Sequence, residues 1–293
     1  MVKTNRDLFG NEIIEDVLLR DKFIEPPFSV LDTKTGSWQT RKNQWKRLGM
    51  RSEVSRKEVL KLNQFAKSYA NANTGDAYKL GTSIFDPALC EVIYHWFCKD
   101  NGTILDPFAG GSVRGIVANY LGYKYTGIEL REEQVNSNIE QGEQIVPHNQ
   151  PVWLLGDSNI LLDNIDNNFD MLFTCPPYFD LEVYSDLEED LSNMDWDNFT
   201  LTYNSIISKA SSKIKDDGFC VIVVGDIRDK KTGFYRDFTS ITKQAFYKCD
   251  WGLYNEAILL EFGTNTAAMR ADRYMKSRKL VKVHQNVLVF KKI

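Results

Sequence analysis

Apolar positions along the chain fall into short runs separated by amphipathic stretches. One run, Thr103-Ile104-Leu105, ends at Asp106 and is followed by Gly110 and Gly111. Val113, Ile116, Val117, Tyr120 and Leu121 then recur at helical spacing, and a second apolar stretch closes at Glu129. Strand, glycine turn, helix and strand in that order make a βαβ unit of the kind that cradles a nucleotide. Glycine lets the backbone approach a ligand closely, and an acid at the end of the second strand accepts hydrogen bonds from ribose hydroxyls. The G-x-G-x-x-G order of a pyrophosphate site is absent.

The same alternation predicts the rest of the sheet. Asp86-Pro87 opens an apolar helix through Glu91, Val92, Ile93, Tyr94, Trp96 and Phe97, with Asp86 as its cap and Pro87 in its first turn. A polar helix over 131–143 leads to a strand ending in an acid, Asp157. Residues 170–174 form a fourth buried strand, which delivers Cys175-Pro176-Pro177-Tyr178 to the edge where the earlier acids sit. Residues 219–226 form a fifth, after a turn at Asp217-Gly218, and Ile258–Phe262 with Val287–Phe290 read as an antiparallel pair at the sheet edge. Strands alternating with helices imply an α/β fold, a mostly parallel twisted sheet with helices on both faces. Pro26 and Pro27 forbid a helix near residue 26, whereas 52–80 read as polar and helical, then loop-like around Asn71–Asp76.

Composition changes this picture little. The chain has 293 residues, 43% hydrophobic and 26% charged, which suits one medium domain with an appendage. No apolar run reaches the roughly eighteen residues of a membrane span, and the first residues lack a signal-peptide core, so a cytoplasmic protein without membrane contact is expected. The five cysteines form no CxxC pair and there are three histidines, so no structural metal site is expected.

Charge is more informative by place than by sum. The net charge is −4, yet basic residues crowd 34–67 and the stretch from Arg270, with an acidic segment, Asp180–Asp197, between them. Trp38, Arg41, Lys42 and Trp45 recur at helical spacing, so one face would carry aromatics and cations suited to phosphates and unstacked bases. The competing reading has both tryptophans anchoring the segment on the α/β domain. The expected division is a basic extension over 1–80, suited to nucleic-acid contact, and an α/β domain over 81–293.

Two motifs carry a family resemblance. Asp106-Pro107-Phe108-Ala109-Gly110-Gly111-Ser112 resembles the DPFxGxG motif of S-adenosylmethionine-dependent DNA amino-methyltransferases, and Thr174-Cys175-Pro176-Pro177-Tyr178 resembles their (D/N/S)PP(Y/F) motif. The two stand in the family's order, about seventy residues apart. The stretch around Trp38 and Trp45 is similar to one in phage-encoded members. The resemblance implies a Rossmann-like methyltransferase fold with S-adenosylmethionine held by Phe85, Asp106, Phe108, Gly110, Gly111, Glu129 and Asp157. Phe85 would pack near the sulfonium. Asp157 would meet the adenine amino group, with a helix N-cap as its competing use.

The implied reaction is methyl transfer to adenine N6 or cytosine N4 in DNA. An exocyclic amino nitrogen is a poor nucleophile because its lone pair is delocalised, so it must be held in line and its hydrogens drawn off by acceptors. By carry-over, in the motif Cys175-Pro176-Pro177-Tyr178 those acceptors are Cys175 and the Pro176 carbonyl, with Pro176 stiffening the turn and Tyr178 stacking on a flipped base. Cys175 departs from the pattern, since a thiol accepts hydrogen bonds weakly. Either the enzyme is slower and leans on main-chain carbonyls, or Asp180, Glu182 or Asp226 supplies the missing oxygen, or the site serves a different acceptor or is inactive. Three alternatives stay open: a carbon-5 pyrimidine methyltransferase using Cys175 as nucleophile, a DNA-binding protein that keeps the fold without turnover, and an RNA or small-molecule methyltransferase.

Overall fold

The computed structural model describes residues 16–50, 84–166, 168–179, 184–261 and 265–293. Eight strands form one sheet: β1 (Val30–Asp32), β2 (Thr103–Asp106), β3 (Lys124–Glu129), β4 (Val152–Leu155), β5 (Phe169–Thr174), β6 (Ile214–Val224), β7 (Trp251–Leu260) and β8 (His284–Lys292). Their order is β1-β7-β8-β6-β5-β2-β3-β4, and β8 alone runs antiparallel to its neighbours. This is the expected Rossmann-like architecture with its antiparallel pair. The chain steps outward from β2 through β3 to β4, then returns to lay β5 against the other side of β2. That reversal opens a crevice beyond the carboxyl ends of β2 and β5, where open α/β sheets bind their ligands.

Nine helices surround the sheet among the described residues: α1 (Asp16–Phe23), α2 (Gly36–Arg47), α3 (Pro87–Phe97), α4 (Val113–Tyr120), α5 (Glu132–Ile145), α6 (Ser158–Leu161), α7 (Trp196–Ser211), α8 (Phe238–Tyr247) and α9 (Asn265–Met275). Strand side chains alternate between faces, and two apolar layers result. Ile104, Met171, Phe173, Val221 and Val223 pack with α3 and α4 through Leu89, Val92, Ile93, Ile116 and Val117. Leu105, Leu172, Cys220 and Ile222 pack on the other face with α7 and α8 through Phe199, Tyr203, Phe238 and Phe246.

Three features differ from the sequence expectations. The turn expected at Asp217-Gly218 lies within β6, where Phe169 pairs with Ile214 and Met171 with Phe219, so residues 215–218 are taken up in a bulge of the strand. The antiparallel pair is not the sheet edge, because β1 pairs in parallel with β7 outside it. For the same reason the boundary expected near residue 80 does not divide the described residues into separate bodies. Strand β1 extends the main sheet and α2 packs on α3. Residues 51–83, which include the helix read over most of 52–80, lie outside the described residues.

Candidate functional site

At the carboxyl end of β2, Asp106 is fully buried and accepts four hydrogen bonds, from Phe108 N at 3.1 Å, Arg114 Nε at 2.6 Å, Tyr125 Oη at 2.7 Å and Thr174 Oγ1 at 2.5 Å. It therefore fixes the turn that follows it, the first turns of α4 and the end of β5 at once. The expectation that Asp106 holds the cofactor directly is corrected: its oxygens are spent inside the fold and it does not reach the cleft wall. Its partner Arg114 also donates to the carbonyls of Phe108 and Ala109 and lies over the Phe85 ring at 4.6 Å. Burial alone would drive that guanidinium toward neutrality, but the charge of Asp106 outweighs it and the group is held more firmly protonated than usual.

The turn itself passes Gly110 at φ +51°, a left-handed conformation that favours glycine, and the Gly110 carbonyl accepts from Asn138 Nδ2 on α5. Glu129 ends β3, nearly buried, and accepts from Arg131 N at 2.9 Å and Arg131 Nε at 3.2 Å. Asp157 caps α6 by accepting from Asn159 N at 2.8 Å, while Ser158 Oγ donates to the Pro107 carbonyl and ties the β4 end to the glycine turn. The N-cap use of Asp157 is thus observed, and its side of the turn still lines the cleft.

One cleft of about 640 Å³ gathers these groups. Phe85, Phe108, Gly110, Gly111, Glu129 and Asp157 line one side of it, and Cys175, Pro176, Pro177 and Tyr178 another. Its volume lies in the range of small-molecule and cofactor pockets, about 300–1,000 Å³. Of the expected ligand-side residues only Asp106 stands behind the wall.

The proline turn leaves β5 beside the glycine turn, because Leu105 pairs with Leu172 and Asp106 binds Thr174. Tyr178 Oη donates to Gln285 Oε1 at 2.9 Å and lies 3.9 Å from the Cys175 sulfur. Burial pushes the Cys175 thiol up to about 11, against the smaller opposite pull of Arg114, so the sulfur is a protonated thiol at neutral pH. Burial likewise raises the Tyr178 phenol. Gln285 Nε2 donates to Glu261 Oε1 at 3.0 Å, and Glu261, Gln285 and Lys282 complete this wall of the cleft.

Of the oxygens considered as substitutes for Cys175, Asp180 and Glu182 lie outside the described residues. Asp226 accepts from Thr239 N at the start of α8 and is not part of the wall. Sequence reasoning missed Arg114, Glu261 and Gln285. Arg114 stands in the first turn of α4, where an arginine following a buried aspartate is the available signal. Glu261 and Gln285 are 24 residues apart and meet only through the β7–β8 register, which pairs Leu259 with Gln285.

The α2 face is a correction. Trp38 and Trp45 are buried, and their indoles donate to Asp86 Oδ2 at 3.1 Å and Glu91 Oε2 at 2.6 Å. Arg41 pairs with Glu91 at 2.7 Å and Lys42 with Asp86 at 2.8 Å. The aromatics and cations thus meet two carboxylates of α3 and its cap, and the face expected to contact DNA is the one that docks α2 on the domain. Buried indoles have no ring face to offer a base.

Comparison with known proteins adds one family match. Residues 23–140, about two fifths of the chain, fit the model of a family described as DNA methylase, N6_N4_Mtase. The chain resembles the DNA amino-methyltransferases, as its motifs imply. The matched span runs through β1, the glycine turn and Glu129, and stops before Cys175. No curated protein matches the chain.

Among solved structures, TrmN from Thermus thermophilus is similar at 13% identity and a TM-score of 0.49, over 71% of this chain and 49% of that one, so the chain spans about half of that protein. Magnesium protoporphyrin IX methyltransferase from Synechocystis PCC 6803, solved with bound SAM, is similar at 12% identity and a TM-score of 0.46, over 97% and 100%. A putative RNA methyltransferase from Pyrococcus horikoshii is similar at 13% and 0.45, over 79% and 98%. Likenesses this distant say nothing about the substrate. No helix among the described residues is long and apolar enough to cross a membrane.

Proposed function

We propose that this chain transfers a methyl group from S-adenosylmethionine to an exocyclic amino nitrogen of DNA, adenine N6 or cytosine N4, in a base swung out of the helix. The observation that carries the reading is the shared cleft: the glycine turn after β2 and the proline turn after β5 open onto one cavity and are joined by the Asp106–Thr174 hydrogen bond. The residues on the first side fit the cofactor. Gly110 supplies a close backbone approach, Glu129 an acid at the end of β3, and Phe85 and Phe108 apolar wall. Glu129 would hold the ribose hydroxyls, Asp157 the adenine end and Phe85 the methionine end. Bound there, the cofactor supplies a methyl group on a positively charged sulfur.

The remaining work falls to the proline turn. Tyr178 would stack on the extruded base, its phenol held by Gln285 so that the ring keeps one orientation. The Pro176 carbonyl would accept one amino hydrogen. For the second, Cys175 is a weak acceptor, and we assign that role to Glu261. Its carboxylate lines the same wall and its charge bears on both Cys175 and Tyr178. Acceptors on both hydrogens leave the nitrogen lone pair aimed at the methyl carbon.

A carbon-5 mechanism is disfavoured by the thiol of Cys175. A nucleophile must be the thiolate, and burial holds this one protonated; the hydrogen-bond partner of its sulfur among the described residues is the Tyr178 phenol, which burial also keeps protonated.

The test is to incubate the protein with methyl-labelled cofactor and, separately, mixed-sequence DNA and RNA, then identify the modified nucleoside by mass spectrometry. N6-methyladenine or N4-methylcytosine from DNA is expected, and Tyr178→Ala should remove most transfer while cofactor binding survives. Label in 5-methylcytosine, label only in RNA, or cofactor binding without any transfer would each replace this reading with one of its rivals.

A further inference from the structure

The loop between β6 and α8, residues 225–237, plays no part in the cleft chemistry and yet is closely built. Arg228 and Tyr235 form an antiparallel bridge, with Asp229 N donating to the Phe234 carbonyl and Gly233 N to the Asp229 carbonyl. The Asp229 carboxylate accepts from Lys231 N, Thr232 N and Thr232 Oγ1 through one oxygen and from Arg236 Nη2 through the other. Those donors hold the carboxyl below the usual carboxylate range. Arg228 lies over the Tyr235 ring at 3.9 Å and donates to the Gly233 carbonyl. Gly233 takes φ +77°, and the Lys279 ammonium occupies the space a side chain there would need. The result is a short, braced hairpin.

At its tip Phe234 is 77% exposed, the most exposed aromatic side chain among the described residues, with Tyr235 at 44% beside it. An aromatic ring in water on a braced turn gains nothing for folding. Both legs of the hairpin stand on the proline turn. A first side-chain carbon at Gly225 would lie 3.7 Å from the Tyr178 ring, with Lys282 and Gln285 at 3.6 and 3.8 Å. The other leg returns through Arg236, whose guanidinium lies 4.9 Å from the Phe179 ring and 4.6 Å from that of Trp196. The hairpin and the neighbouring 276–284 stretch together carry eight lysines and arginines against three aspartates.

We infer that this hairpin is a duplex-DNA probe, with Phe234 as the wedge that enters the base stack next to the base drawn into the cleft. The proposal rests on the DNA methyltransferase reading and deepens it. Apolar side chains inserted between base steps unstack and kink a duplex, and extruding a paired base costs unstacking that a single strand does not demand. A ring on a braced turn whose legs meet Tyr178 and Phe179 would fill the gap the target base leaves. The surrounding cations meet the phosphates on either side.

The test compares wild type and Phe234→Ala with labelled cofactor on sheared mixed-sequence duplex DNA and on the same DNA heat-denatured. The variant should lose about tenfold or more in transfer to duplex, stay within about twofold on denatured strands, and melt as wild type does. Phe234→Trp should recover most of the duplex rate. Equal activity of Phe234→Ala and wild type on duplex, or an equal loss on both substrates, overturns the wedge while leaving the methyltransferase reading intact. Wild type that transfers no methyl to either DNA overturns both.

Discussion

Asp106→Asn separates a structural from a ligand-binding role for the first motif residue. The change removes the charge opposite Arg114, which is 5% exposed, and puts an amide nitrogen where an oxygen now accepts from Tyr125 or Thr174. Removing one partner of a buried ion pair costs about 3–5 kcal/mol, a large share of a total stability of roughly 5–15 kcal/mol. At roughly 2–4 °C per kcal/mol for a large domain, the melting temperature should fall by roughly 6–20 °C. Urea unfolding and differential scanning calorimetry, with cofactor affinity by calorimetry well below the melting range, check the outcome. Pairing the change with Arg114→Gln should cost less than the sum of the two single changes, because the second removes the stranded charge. A melting temperature within a degree or two of wild type, together with a tenfold loss of cofactor affinity, would refute the argument and return Asp106 to the cofactor.

Other outcomes follow from the same geometry. Glu129→Ala should weaken cofactor binding at least about tenfold, the worth of a hydrogen bond to a charged group, about 1.5–3 kcal/mol; unchanged affinity by calorimetry would remove Glu129 from the site. Cys175, whose thiol is pushed up to about 11, should react slowly with iodoacetamide at pH 7.5, with the rate climbing through pH 9 to 11 as thiolate forms; rapid alkylation at pH 7.5, read by intact mass, would contradict its burial. Asp170, at the far end of β5, is buried, which by itself raises its carboxyl, but Lys215, Lys99 and Thr103 overcome that and hold it well below the ordinary range. Because the folded value is depressed, the stabilisation is present above the unfolded value near 3.9 and fades as pH falls below it. Wild type should therefore exceed Asp170→Asn in urea stability at pH 7, and the gap should narrow below about pH 4.

How much of this was legible in the sequence depended on range. The β2–α4–β3 unit was legible because each of its signals is local: an apolar run, a glycine pair, a helical repeat and an acid lie within 27 residues of one another. The proline turn was legible by its residues alone. The strand edge occupied by β1 was not, since three residues paired with a partner 228 positions away carry no periodic signature. The α2 face shows the limit of reading charge from spacing. Trp38, Arg41, Lys42 and Trp45 do share a face, but the pattern is silent on what lies opposite, and Asp86 and Glu91 are supplied by another helix.

The same limit bears on Cys175. Judged against its motif, a thiol at this position leaves one amino hydrogen of the target without a good acceptor. Judged in the cleft, the wall opposite comes from β7 and β8, which bring Glu261 and Gln285 to the proline turn. A carboxylate reached through a strand pairing can do the work of a carboxylate in the motif, provided the strands fix it. Glu261 directly follows β7, where its N–H donates to the Val283 carbonyl and its carboxylate accepts from Gln285 of β8. On the proposed reading the departure at 175 is a change in where the oxygen comes from, with Glu261 tied to Tyr178 through Gln285.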